Sequence, residues 1–235
     1  AKPEYIVVSI PEGLTVKKIS KILENSGLCT QQDFLEKVSS PKLLKKYDIP
    51  AASFEGYLFP DTYYFNADID VTALVCQMAD TFFDKINQID SLKSLSPEEL
   101  FEKVTLASII EREYRVKDEA PLIAGVFSNR LKIGMGLESC ATVEYVITEI
   151  LGKPHPDRIF YADLEIDNPY NTYKYAGLPP GPISCPSFVS LSAAALPKSS
   201  DYYYFVLNDV EAGTHTFSRT LGEHNKAANL LYTKR

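Results

Sequence analysis

Residues 96–114 read SPEELFEKVTLASIIEREY, and the first four of them form a strong helix start. Ser96 suits the N-cap, Pro97 suits the first helical position, and Glu99 completes a capping box. We therefore expect a helix from residue 96 to about residue 114. At about 100° per residue, one third of its circumference would carry five side chains: Leu100, Val104, Ala107, Glu111 and Tyr114.

Glu111 is an unusual group on such an apolar face. A carboxylate there must be paired, hydrogen-bonded or kept protonated. A carboxyl group with a raised pKa is what an enzyme needs to protonate a leaving group near neutral pH. Two alternatives stay open. Glu111 could form a structural salt bridge with an arginine such as Arg130. Glu113 is a competing carboxylate, although a continuous helix would place it about 200° away on a mixed face.

Composition indicates a globular protein without a nucleic-acid partner. The 235 residues suffice for one large domain or two modest ones. The net charge of -7 argues against a polyanion binder, because such proteins usually carry a basic field. The sequence has no run of about 20 apolar residues. Its four cysteines and three histidines lack metal-ligand spacing, and dinucleotide and phosphate-loop motifs are missing, so we expect no metal and no organic cofactor.

The first 55 residues predict a small module with the order β-α-α-β. A strand over residues 4–10 precedes helices over about 15–27 and 31–38, and a closing strand is expected near residues 53–59. A third short helix is expected near residues 41–47. We place the domain boundary so that residues 1–55 form this module and residues 56–235 form a larger, helix-rich domain. The predicted class is α+β.

The larger domain is predicted to carry an irregular segment over residues 163–186. Helices are expected near 70–89, 120–131, 142–151, 187–196 and from 220 onwards, with a β-hairpin over 202–207 and 213–217 that turns at Asn208 and Asp209. Irregular segments of this length are often functional. Asn171, Thr172 and Tyr173 combine hydrogen bonding with flat apolar surface, which suits sugar rings. The alternative is that the tyrosines of this segment pack it onto the core.

Several motifs, spread over nearly the whole chain, carry a resemblance to one family. They are EGYLFPDTY (55–63), LASIIERE (106–113), VFSNRL (126–131), IGMGL (133–137), TVEY (142–145), PYNTY (169–173), GLPPGPIS (177–184), FS (217–218) and EHN (223–225). Together they resemble the bacterial endolytic murein transglycosylases, the MltG or YceG-like family. Several blocks in the right order are more specific than any single motif.

The resemblance implies a LysM-like module at the N-terminus followed by a catalytic domain. The family's catalytic acid lies in the block matched by residues 109–113, and we map it onto Glu111. Glu111 would protonate the oxygen that links MurNAc to GlcNAc and then help close a 1,6-anhydro ring, without a cofactor. The expected glycan-binding or supporting residues are Asn129, Glu138, Tyr145, Asn171, Thr172 and Tyr173.

The resemblance also implies a location and partners. The substrate would be peptidoglycan glycan strands, with peptidoglycan synthases as further partners. A membrane anchor is expected upstream of Ala1, with the catalytic part outside the cytoplasm. Two other functions stay open: a non-catalytic peptidoglycan-binding or scaffolding module, and a hydrolytic muramidase.

Two positions depart from the family pattern. Cys140 stands where the family usually has an aspartate, and Cys185 stands where it often has an asparagine. We therefore hypothesise that Cys140 and Cys185 are neighbours that form a disulfide in an oxidising compartment. Any role of the missing aspartate is expected to pass to Glu138 or Glu144.

Overall fold

The chain folds into two compact units, described here for residues 5–233 from a computed structural model. The first unit comprises residues 1–108 and 181–191, and the second comprises residues 109–180 and 192–235. Each unit combines helices with one antiparallel pair of strands, which confirms the predicted α+β class. None of the helices within residues 5–233 has the length and the apolar composition of a membrane span.

The first unit starts as the sequence predicts. Its elements are β1 (Tyr5–Ser9), α1 (Val16–Asn25), α2 (Gln31–Val38), α3 (Pro41–Lys46), β2 (Thr62–Asn66), α4 (Val71–Ile86) and α5 (Pro97–Ile110), the last of which ends in the second unit. Side-chain caps explain two of the helix starts. Thr15 Oγ1 accepts a hydrogen bond from the Lys18 amide at 3.2 Å, and Asp70 Oδ1 accepts one from the Thr72 amide at 2.8 Å.

The predicted closing strand at residues 53–59 is wrong. The strand that pairs with β1 is β2, with Ser9 opposite Thr62, and residues 53–59 form turns instead. Gly56 has a φ of +87°, which breaks an extended strand. Glu55 has another role, because both of its carboxylate oxygens accept from the Val16 amide, at 3.1 and 3.2 Å, at the start of α1.

The strand pair therefore joins residues on both sides of the predicted boundary after residue 55. The boundary itself, and a LysM-like identity for the first 55 residues, stay predictions. The segment 181–191 also belongs to the first unit. The Cys185 amide donates to the Leu14 carbonyl at 2.8 Å, and Ser184 Oγ donates to the Ser108 carbonyl at 3.0 Å.

The second unit contains most of a long irregular segment. After a single 3₁₀ turn at Lys117–Glu119, its elements are α6 (Ala120–Lys132), α7 (Cys140–Tyr145) with a π-helical turn at Val146–Ile150, α8 (Tyr161–Leu164), the end of α9 (Phe188–Ala195), β3 (Tyr204–Asp209), β4 (Thr214–Ser218) and α10 (Leu221–Thr233). Residues 165–187 contain neither helix nor strand, as predicted. The hairpin also exists, but it turns at residues 210–213 rather than at Asn208 and Asp209, after a bulge between Leu207 and Asp209.

The end of α5 differs from the prediction in a way that affects the site. The capping box is present, since the Ser96 amide donates to Glu99 Oε2 at 2.8 Å and the Glu99 amide donates to Ser96 Oγ at 3.2 Å. The helix ends at Ile110, however, and not near residue 114. The Glu113 amide bonds the Ile110 carbonyl at 3.0 Å, three residues back, so residues 111–113 form a turn. The helical spacing of about 100° per residue therefore does not apply to Glu111 and Glu113, because both lie beyond the end of α5.

Gly56 offers a test of the first unit. We expect Gly56→Ala to lower the free energy of unfolding by about 2–4 kcal/mol, because the positive φ disfavours a side chain and the new Cβ would lie 2.6 Å from the Pro182 Cβ and 2.9 Å from Val104 Cγ1. Gly27→Ala is the matched control, since Gly27 has a φ of +79° but open space around it, and it should cost only about 1 kcal/mol. Urea unfolding measures both, and equal losses would contradict the packing argument.

Candidate active site

A cavity of about 420 Å³ lies within the second unit. Its walls come from the turn after α5, from α6 and the segment that follows it, from β3 and from α10. The residues that line it are Glu113, Phe127, Arg130, Leu137, Glu138, Ser139, Cys140, Tyr173, Tyr204, Phe205, Val206, Leu221 and His224. The combination of aromatic rings with a few ionisable groups is typical of small-molecule and sugar sites.

Glu113 is a half-buried carboxyl group in the lining of this cavity. It accepts a hydrogen bond from the Ser139 hydroxyl. Burial raises the pKa of Glu113 above the usual range, and the Ser139 hydrogen bond and the positive charge of Arg130 oppose this effect only partly. The side chain can therefore hold a proton at a higher pH than an ordinary glutamate.

Arg130 holds the segment that forms one wall of the cavity. Its side chain is buried, and its Nε donates to the Tyr203 carbonyl at 2.6 Å. Its Nη1 donates to the carbonyls of residues 136 and 137 at 2.9 and 3.1 Å, and to Glu138 Oε2 at 3.1 Å. These contacts connect the end of α6 to the segment before α7 and to the start of β3.

Thr172 fixes Ser139 and Glu138 from the opposite side. Thr172 Oγ1 accepts a hydrogen bond from the Ser139 amide at 3.0 Å and lies 2.9 Å from Thr142 Oγ1. The Thr172 carbonyl accepts one from the Glu138 amide at 3.2 Å. Glu138 adopts a φ of +52°, which is uncommon for a residue other than glycine. Thr172 is fully buried, so the structure places it behind the cavity wall.

Two other residues predicted to contact glycan hold backbone segments in place. Asn171 is fully buried, and its Nδ2 donates to the carbonyls of residues 164 and 166 at 2.9 and 2.8 Å. Asn129 Nδ2 donates to the carbonyls of residues 200 and 202, both at 2.9 Å. Both amide groups are thus used to shape the second unit.

The other three residues predicted to contact glycan, Glu138, Tyr145 and Tyr173, do not all lie in the cavity. Glu138 and Tyr173 line the cavity, and the Tyr173 hydroxyl lies 3.1 Å from Cys140 Sγ. Tyr145 instead packs on Tyr170, with ring centroids 5.1 Å apart. Of the predicted glycan-binding residues, the cavity therefore brings together Glu138 and Tyr173.

Glu111 occupies a different environment from Glu113. It is half-buried and accepts a hydrogen bond from the Tyr114 hydroxyl at 3.2 Å. Within the described residues it is not part of the cavity lining. Arg130, the arginine considered from the sequence as a partner of Glu111, pairs with Glu138. The assignment of Glu111 as the catalytic acid stays a prediction.

His224 is a cavity residue that sequence reasoning missed. Its Nδ1 is buried and has no hydrogen-bond partner among the described residues, and its ring packs on Tyr204 with centroids 5.5 Å apart. Burial lowers the pKa of His224, and the positive charge of Arg130 acts in the same direction. A neutral imidazole therefore faces the cavity. The EHN motif was the signal that could have identified it.

The two cysteines are free, so the expected disulfide is wrong. Cys185 is fully buried in the first unit, where its backbone is bonded to residues 13 and 14. Cys140 is exposed in the second unit, at the start of α7. Glu144, one of two expected substitutes for the missing aspartate, pairs with Arg112 Nη2 at 2.6 Å and with His155 Nε2 at 2.8 Å. Glu138, the other, lines the cavity.

Metal ligation is not suggested by the arrangement of side chains. Within residues 5–233 the structure has no group of three or more His, Cys, Asp or Glu side chains placed to hold a metal ion. The side chains that line the cavity offer acid–base chemistry by Glu113, hydrogen bonding by Ser139 and His224, and positive charge from Arg130.

Thr172 provides a test of the wall. Thr172→Val should lower the free energy of unfolding by about 1–3 kcal/mol, because the buried Ser139 amide would lose its acceptor. Thr62→Val is the control, since the Thr62 hydroxyl bonds the Ser9 hydroxyl on an exposed part of β2 and its loss should stay within about 0.5 kcal/mol. Urea unfolding checks both. Unchanged stability in Thr172→Val would contradict this role of the Thr172 hydroxyl.

The raised pKa of Glu113 predicts a pH dependence of stability. Between the ordinary glutamate pKa and the raised one, the folded protein binds more protons than the unfolded chain, so the free energy of unfolding falls as pH rises. Glu113→Gln removes this titration. The variant should therefore gain stability relative to the wild type as the pH rises from the ordinary glutamate range toward the raised pKa of Glu113. Urea unfolding at several pH values measures the difference, and a constant difference would contradict the assignment.

Comparison with known proteins places these features in context. A family model described as the YceG-like family matches residues 1–230. A crystal structure of a YceG-like protein from Listeria monocytogenes superposes with a TM-score of 0.82 at 34% sequence identity, covering 94% of this chain and 75% of that chain.

Two relatives carry the name endolytic murein transglycosylase. The one from Bacillus subtilis is 42% identical over 174 residues, which cover 74% of this chain and 46% of the relative. The one from Streptococcus pneumoniae serotype 2 is 29% identical over 248 residues, which cover 96% of this chain and 44% of the relative. The chain thus spans less than half the length of these curated relatives.

Proposed function

Since the chain belongs to the YceG-like family, we propose that it is a lytic transglycosylase that cleaves peptidoglycan glycan strands at internal positions. Relatives with the name endolytic murein transglycosylase support this activity. The observation that carries the proposal is Glu113, a carboxyl group with a raised pKa in a cavity that also offers aromatic surface and a cationic side chain.

Glu113 is the better supported general acid, and Glu111 remains the alternative predicted from the sequence. Glu113 lines the cavity and has a pKa that desolvation raises, whereas Glu111 accepts a hydrogen bond from Tyr114 and is not among the lining residues. General acid catalysis requires a protonated group within hydrogen-bond reach of the leaving oxygen. Of the two carboxyl groups, Glu113 is the one that lines the cavity in which we propose that the glycan binds.

In the first step, protonated Glu113 donates its proton to the oxygen between MurNAc C1 and GlcNAc. The C1–O bond breaks, GlcNAc leaves with a new hydroxyl, and positive charge develops at C1. The MurNAc acetamido oxygen can stabilise that centre. The Ser139 hydroxyl bonds to the resulting Glu113 carboxylate, so the anion is stabilised as it forms.

In the second step, the Glu113 carboxylate takes a proton from the MurNAc 6-hydroxyl. The freed oxygen attacks C1 of the same sugar, and the new bond closes a 1,6-anhydro ring. Glu113 is protonated again at the end of this step, and the reaction consumes no water. The burial of Glu113 suits both steps, because its raised pKa lies closer to neutral pH than that of an exposed carboxyl group.

A hydrolytic muramidase is the second candidate, and Glu138 is the observation that favours it. Glycoside hydrolases usually use two carboxylates, and Glu138 is a second one in the same cavity. Glu138 is paired with Arg130, and about half of its side chain is exposed. In that role it would activate a water molecule and yield reducing MurNAc ends.

Product analysis decides among these functions. Mass spectrometry of uncrosslinked glycan strands incubated with the chain should detect 1,6-anhydro-MurNAc ends. Glu113→Gln should lower the cleavage rate by on the order of 10²–10⁴-fold. Glu111→Gln is the matched control and should retain most of the activity.

Three outcomes would contradict parts of the proposal. Reducing ends would mean hydrolysis, and intact strands would mean a binding or scaffolding module. If Glu111→Gln were inactive while Glu113→Gln remained active, Glu111 would be the general acid.

The location and the partners follow from the substrate and stay predictions. Peptidoglycan lies outside the cytoplasm, so the catalytic part is expected there, held by an N-terminal membrane anchor. Peptidoglycan synthases remain expected partners because they produce the strands that an internal cleavage would shorten.

A further inference from the structure

A second cavity of about 520 Å³ lies beside the first one in the second unit. Its lining residues are Cys140, Arg158, Ile159, Phe160, Tyr161 and Leu164. Cys140 lines both cavities, so one small side chain forms a wall that they share. A chain molecule bound in the first cavity can therefore continue along the second without leaving the protein surface.

The second cavity exposes two large aromatic side chains. Tyr161 is 91% exposed and Phe160 is 52% exposed. Adjacent exposed aromatic side chains often mark a binding surface. The surface is held in place, because the Phe160 amide donates to Asp163 Oδ2 at 2.8 Å and the Asp163 amide donates to the Phe160 carbonyl at 2.9 Å.

Arg158 adds a positive charge to this surface. Its guanidinium lies 4.5 Å from the centre of the Phe160 ring, as in a cation–π contact. Arg158 makes no ion pair within the part of the chain that the structure describes. In a protein with a net charge of -7, it provides a local site for an anionic group.

The chemistry of a glycan strand fits these three side chains. The flat C–H faces of a pyranose ring pack on aromatic rings such as those of Phe160 and Tyr161. Every second sugar of the strand is MurNAc, which carries a carboxylate on its lactyl group or on an attached stem peptide. A guanidinium recognises carboxylates through paired hydrogen bonds.

We propose that Arg158, Phe160 and Tyr161 form a subsite that binds the glycan strand beyond the bond that is cleaved. This proposal rests on the proposed function. The two aromatic rings stack on a sugar, and Arg158 binds the carboxylate carried by MurNAc. Such a subsite would favour cleavage within a strand over cleavage near its end, because only a long strand occupies both cavities.

Binding measurements test the subsite separately from catalysis. Glu113→Gln protein is the background, so that strands are not cut during the experiment. Peptide-free strands should bind about tenfold more weakly when Tyr161→Ala or Phe160→Ala is added. Tyr64→Ala is the matched control, since Tyr64 is 63% exposed on β2 in the other unit, and it should bind like the background protein.

The role of Arg158 is tested with three probes. Arg158→Ala should weaken the binding of peptide-free strands, which carry lactyl carboxylates, and leave the binding of neutral GlcNAc oligomers of equal length almost unchanged. Strands with stem peptides are the third probe. If Arg158→Ala loses more affinity for these strands than for peptide-free strands, the carboxylate that Arg158 binds belongs to the stem peptide. Arg219→Ala is the control, since Arg219 is exposed and paired with Asp201 at 2.7 Å.

The outcomes separate this subsite from the proposed reaction. If Tyr161→Ala and Phe160→Ala bind strands as well as Tyr64→Ala does, the subsite is overturned even if the wild type cleaves. If the wild type does not cleave but both variants bind weakly, the subsite stands and the catalytic proposal fails. Equal losses for neutral and carboxylate-bearing probes in Arg158→Ala would overturn the role of Arg158.

Discussion

Arg130 brings a full positive charge into the interior of the second unit, where its hydration must be replaced. Four oxygen atoms from Tyr203, from residues 136–137 and from Glu138 replace the lost water. A buried cation without such partners would be strongly destabilising. These bonds fix the start of the hairpin against the segment that carries Ser139, so the same residue determines both the fold of this region and the shape of the cavity.

The reactivity of Glu113 depends on this arrangement through Ser139. Ser139 reaches Glu113 because Thr172 holds its amide from one side and Arg130 holds the preceding residues from the other. Glu113 lies in a turn. A continuing helix would have directed its side chain to a different face. Burial and hydrogen bonding act on Glu113 in opposite directions, and burial dominates. The site thus combines a hydrogen-bonded wall with a carboxyl group whose pKa lies above the usual range.

Local features of the fold could be predicted, whereas the site could not be predicted in full. The capping box at Ser96 and the cap at Asp70 involve neighbours in sequence, so their hydrogen bonds are readable from residue types. The end of α5 was misplaced because no glycine or proline stands at residues 111–113, and tertiary contacts end the helix there. The partners of Thr172 lie about 30 residues away, and no periodicity signals such contacts. Motif resemblance identified the region but not which glutamate enters the cavity.

The backbone of Glu138 combines a strained conformation with stabilising contacts. A positive φ costs a residue other than glycine about 1–3 kcal/mol, and here the contacts with Arg130 and Thr172 offset that cost. Glycine at this position would relax the backbone and remove a carboxylate from the cavity at the same time. The same substitution would leave the buried Arg130 without its carboxylate partner, so backbone strain and charge pairing at residue 138 act on stability in opposite directions.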